Sequence, residues 1–97
     1  MLEAVKKSLR ITHTKLDDSI QDTINAARAE FIRLGILPYK AEDDNDPLIR
    51  EAIKTYCQME YTDDAKKREM FYKSWETQVD GLRKSRNYIT KEGGENV

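Results

Sequence analysis

The chain has 97 residues, with 17 basic and 18 acidic side chains giving a net charge of −1, and it is 38% hydrophobic against 36% charged. That length fits one small domain, and the near-balance of charge excludes a strongly basic nucleic-acid binder or a protein held to an anionic membrane by charge. The single cysteine excludes an intramolecular disulfide framework and suits a reducing compartment, while neither the charged start MLEAVKKSLR nor any later stretch offers the apolar run of a signal peptide or a bilayer span.

Leu2, Val5 and Leu9 share one face of a short first helix, with Lys6, Lys7 and Arg10 mostly on the other. Ile11 to His13 break it. Thr14 with Asp17 resembles a capping box for a second helix, and Asp18 with Gln21 is an alternative start. The apolar face of that helix is Ile20, Ile24, Ala27, Phe31 and Leu34, spaced by three or four. Gly35 can take the positive φ of a C′ residue, and Pro38 prevents the helix from resuming.

Residues 36–46, ILPYKAEDDND, read as the longest connection. Glu42, Asp43, Asp44 and Asp46 place four carboxylates within five positions, which repel one another and stay solvated unless something balances them. Glu42, Asp44 and Asp46 alternate as calcium ligands do. Pro47, however, stands where a calcium loop needs glycine, and Ile53 where it needs the bidentate glutamate, so no metal site is read there.

Asp46-Pro47 then opens DPLIREAIKTYCQMEY, the most apolar stretch. The aspartate accepts from free N–H groups, and proline suits the first helical position. Ile49, Ala52, Ile53, Tyr56 and Cys57 form a wide stripe, so this is the central helix, in contact with neighbours on more than one side. Thr62 or Asp63 caps a fourth helix. Phe71, Tyr72, Trp75, Val79 and Leu82 form its apolar face, Lys66, Lys67 and Arg68 lie in its exposed first turns, and it ends near Lys84. The fold class is all-α: a small bundle of about four helices over residues 1–85, then a flexible basic tail over 86–97.

No nucleophile–base pair is visible. His13 sits in a loop and Cys57 on an apolar helical face, where a thiol is a small buried hydrophobe rather than a nucleophile. A glycine-rich phosphate loop and zinc spacing are both missing. The chain is therefore read as non-enzymatic, without cofactor. The end has two readings: a frayed terminus, or a docking peptide in which Tyr88 and Ile89 anchor and Arg83, Lys84, Arg86 and Lys91 steer.

LEAVKKSLRI, LDDSIQDTINAARAEFIRLGI, DPLIREAIKTYCQMEY and FYKSWETQVDGLRKS, in that order, resemble the head–tail connector (adaptor) family of long-tailed bacteriophages, often labelled DNA-packaging or head-completion proteins. The resemblance covers residues 2 to about 88, and its wording is similar to prophage copies from Gram-positive hosts. It implies a helical subunit of a homo-oligomeric, dodecameric ring in the virion at the head–tail junction, assembled in the host cytoplasm. The portal protein lies on one side and a stopper or tail-completion protein on the other. DNA passes through without sequence-specific binding, and no membrane is involved. It further implies that the C-terminal segment reaches the portal. The acidic loop would then face the lumen or a subunit interface. The competing reading is a small helix-turn-helix DNA-binding regulator built on the third and fourth helices, weakened by Phe71, Tyr72 and Trp75 in the helix that would enter the groove.

Overall fold

The computed structural model describes residues 1–89 and places them in six helices: α1 (Leu2–Leu9), α2 (Asp17–Arg33), α3 (Pro38–Ala41), α4 (Pro47–Tyr61), α5 (Ala65–Arg83) and α6 (Arg86–Ile89). The four long ones make the expected all-α bundle. Among them α4 packs against α1, α2 and α5. Its start follows the chemistry of Asp46-Pro47: Asp46 is extended, and its Oδ1 accepts from the N–H groups of Leu48 at 2.9 Å and Ile49 at 3.3 Å. Ile49, Ala52, Ile53 and Cys57 then lie fully buried.

Trp75 of α5 joins three helices. Its ring stacks on Phe31 of α2, with centroids 5.1 Å apart, and meets the edge of Tyr56 of α4 at 4.9 Å. Aromatic pairs in these arrangements add to the burial of their area. Val79 and Leu82 continue the buried line toward the end of α5. The three-residue link Thr62–Asp64 makes α4 and α5 antiparallel neighbours, as short helix–helix connections do. Burial also fixes the chemistry of Cys57: loss of solvation, then the nearby Glu60 charge, pushes its thiol up to about 12, so it stays protonated and unreactive.

The end of α2 uses glycine as the sequence suggests. Gly35 has φ 103°, its N–H donates to Ile32 at 3.0 Å, and the N–H of Ile36 reaches back to Phe31 at 2.9 Å. This paired closure satisfies the last carbonyls and drives Ile36 into the core.

Five local expectations change. Lys6 is not on the solvent face of α1: it is 5% exposed, and its Nζ lies 2.8 Å from Asp17. Thr14 and Asp17 form no capping box; α2 starts at Asp17 without a side-chain cap, because that carboxylate is turned to Lys6. Pro38 does not merely block a helix but starts one, α3, at the position where its missing N–H is harmless. The cap of α5 is Asp64, which accepts from Lys66 at 2.9 Å and Lys67 at 3.2 Å, while Thr62 accepts from the N–H of Asp64 at 3.2 Å. Tyr72 leaves the apolar face of α5 and is 49% exposed, since it lies on the flank away from α4.

Ile53→Ala should lower the unfolding free energy by about 2–5 kcal/mol in denaturant titration, through lost burial and the cavity left behind. The Lys6–Asp17 pair gives a sharper contrast. Lys6→Met keeps the volume but leaves the half-buried Asp17 carboxylate, at the N-terminal end of α2, without its cation, so it should cost about 1 kcal/mol. Asp17→Ala leaves the buried ammonium unpaired and should cost about 3 kcal/mol. Equal losses in the two variants would show that the pair, not the burial of a lone charge, sets the energy.

Candidate assembly surfaces

The acidic loop is held from inside rather than left to solvent. Arg28 of α2 reaches across with Nη2 2.7 Å from Asp44 Oδ1 and donates from Nη1 to the Glu42 carbonyl at 3.3 Å. Arg50 of α4 donates to the Asp44 carbonyl at 3.0 Å. Asp43 accepts from the N–H of Asn45 at 3.0 Å, a short-range turn. Of the four acidic residues Glu42 is exposed and Asp43, Asp44 and Asp46 are half-buried. The balancing cations come from α2 and α4, which no local pattern in residues 36–46 could announce.

Asp46 carries a second bond beside its cap. The Tyr88 hydroxyl donates to Oδ2 at 2.7 Å. The Tyr88 carbonyl accepts from the N–H of Leu37 at 2.8 Å, and the Lys40 ammonium stands 5.1 Å above the Tyr88 ring. Burial raises the Asp46 carboxyl, but the Tyr88 hydroxyl, the N–H groups of Ile49 and Leu48 and the Lys40 charge outweigh it and hold the group below its ordinary 3.8. Burial and then the Asp46 carboxylate push the Tyr88 hydroxyl up to about 12.

Residues 86–89, expected to begin the tail, form α6 and pack against α3 and the start of α4. Tyr88, read as a docking anchor, is 9% exposed and turned into its own fold, with its ring clasped between α3 and the cap of α4. Arg83, Lys84, Arg86 and Ile89 are exposed around it. Lys84 pairs with Asp80 at 2.8 Å. Lys91 and the rest of 90–97 lie outside the described residues.

Two exposed regions remain for partners. One is the first half of α5, where Lys66, Lys67, Met70 and Lys73 stand in solvent; Met70 is 55% exposed. The other comprises the outward side chains of α3 and the first turn of α4, Tyr39 and Leu48. Between α2 and α5 runs an open groove of about 510 Å³, floored by Leu34, Trp75 and Val79 and walled by Tyr72 and Arg83. The sequence contained the hydrophobes of these surfaces but not their exposure, which depends on where α5 outruns its neighbours. Among the described residues no three His, Cys, Asp or Glu side chains converge as metal ligands would.

A family model described as Phage connector protein matches residues 1–88. No curated protein and no solved structure matches the chain. The expected Gram-positive host finds no support in that match.

Tyr88→Phe should cost about 1 kcal/mol, because water can partly replace the hydroxyl at a carboxylate that is not fully buried. Asp46→Ala removes the cap as well and should cost about 2 kcal/mol. The difference between wild type and Tyr88→Phe should depend on pH with a defined sign. The Asp46 contribution is present above its ordinary 3.8 and fades as pH falls through the depressed folded value. The Tyr88 contribution is present below its ordinary 10.0 and fades as pH rises toward 12. Melting curves should show a plateau between those limits. A chain ending at Ile89 keeps these contacts, whereas one ending at Ser85 should melt earlier.

Proposed function

Because the chain belongs to the phage connector proteins, structural components of the virion that associate with other head and tail proteins, we propose that it is the ring subunit between the portal and the tail-completion protein. The observation that carries this reading is the extent of the family match: residues 1–88 include every helix but the last residue of α6. The ring encloses the channel through which DNA passes, and the subunit acts by shape and contact, without catalysis.

Two structural features support it. A ring is built from head-to-tail contacts, which need two different surfaces on each subunit. The first half of α5 and the outer side of α3 with the start of α4 are two such exposed surfaces of unlike composition. The charge pattern also suits a channel that lets DNA slide. Counterion-releasing phosphate contacts need clustered free cations. Here the chain carries a net −1 and Lys6 and Arg28 are taken up in internal ion pairs, so the exposed basic cluster is confined to Lys66, Lys67 and Arg68 at the start of α5. We assign Arg83, Lys84, Arg86, Ile89 and Lys91 to the portal-facing side; in the free subunit Tyr88 holds that segment to the body. The acidic residues Glu42 and Asp43 face the lumen or the neighbouring subunit, while Asp44 and Asp46 serve the fold. No helix among the described residues is long and apolar enough to cross a membrane.

Negative-stain images of the purified protein, alone and with portal, should show rings that stack coaxially on the portal. A protein that stays monomeric at high concentration and leaves the portal bare would exclude the role. DNA binding measured against salt should be weak and independent of sequence. A footprint at a defined site would instead favour the regulator reading.

A further inference from the structure

The clasp around Tyr88 has the properties of an exchangeable joint. Its seat is made of three groups that do not belong to the segment it holds: the Leu37 N–H, the Asp46 Oδ2 and the Lys40 ammonium. The seat reads both the main chain and the side chain of the strap, since Leu37 takes the Tyr88 carbonyl and Asp46 takes its hydroxyl. The strap, α6, hangs from α5 by Lys84 and Ser85 alone. No glycine or proline stands at that link, and Lys84 has φ −87° and ψ −5°, within the right-handed region. The local bonds there, Ser85 N–H to Leu82 at 3.1 Å and Tyr88 N–H to Ser85 at 3.1 Å, are of a kind that a continuous helix remakes one residue further back. No helix breaker thus stands at the interruption between α5 and α6, and the clasp is what ties α6 to α3 and the start of α4.

We propose that in the assembled ring the strap of each copy, residues 86–89, leaves its own body and occupies the α3/α4 seat of the next copy. This rests on the ring reading given above. Straightening at Lys84 and Ser85 carries Tyr88 off its own seat. It leaves the Leu37 N–H and Asp46 Oδ2 without their partners, and a second copy supplies an identical strap. Every bond lost within a chain is regained between chains, so exchange of an identical element needs no new chemistry. The contact is directional, strap to seat, and successive copies repeat it until the ring closes. Within a closed ring each strap faces a seat at high effective concentration.

The test uses introduced cysteines on the two sides of the joint, Asp43→Cys beside the seat and Asn87→Cys for the strap, with buried Cys57 retained. The two variants are purified separately, confirmed as helical by circular dichroism, mixed, assembled and treated with a short bismaleimide. Exchange predicts covalent links between a D43C chain and an N87C chain in the assembled fraction. It also predicts links within one chain for the double variant kept as monomer. If assembled double variant links only within chains and the mixture links none, exchange is overturned while the ring stands. If wild-type protein forms no assembly at any concentration, alone or with portal, the ring and the exchange fall together.

Discussion

The carboxylate of Asp46 accepts two backbone N–H groups through one oxygen and the Tyr88 hydroxyl through the other. The first set begins α4, the helix on which α1, α2 and α5 pack. The second fixes where the chain goes after α5. A helix start leaves several N–H groups unpaired; a capping side chain satisfies some of them, and the positive end of the helix favours a carboxylate there. The cap uses one oxygen of Asp46 and leaves the other to accept from the phenol. Removal of the group would therefore disturb the beginning of the central helix and the end of the described chain together, although 42 positions separate Asp46 from Tyr88.

The parts of the fold set by neighbours in sequence were readable from it. Proline after aspartate, glycine after an apolar run and hydrophobes spaced by three or four each act within one or two turns. They located α1, α2, α4 and α5 and the closure at Gly35. What escaped was set by partners far along the chain. Lys6 looks like a surface lysine until Asp17 is brought over it. Tyr88 looks like a free anchor until α3 and the cap of α4 form a seat for it. Tyr72 fits the period of an apolar face, yet it stands at the open edge of the groove between α2 and α5, where it is left half exposed. The surfaces assigned to assembly suffered most, because exposure is what remains after packing, and no periodicity reports it. The family resemblance, now matched over residues 1–88, supplied what the helices alone could not.

The loop between α3 and α4 shows how a near-neutral protein can carry a dense acidic run. Four carboxylates in five positions would repel in an unfolded chain. In the folded chain Arg28, Arg50, Asn45 and Tyr88 meet the loop at its carboxylates and carbonyls. Like charges that are separately satisfied no longer need to point outward. The loop between α3 and α4 is thereby tied to α2 and α4, with Glu42 its most exposed acid.

Cys57 carries a consequence of a different kind. It sits at 0% exposure on α4 in the core, and its thiol is held protonated by burial. A thiol in that state reacts with a soluble reagent only when the helices around it part. Because the sequence holds no other cysteine, each modification event is a timestamp on one defined opening. The labelling rate of a lone core thiol converts to the free energy of that opening when reclosing is fast. The molecule thus contains its own stopwatch for internal breathing, readable by mass alone, in a free subunit and in an assembled particle alike.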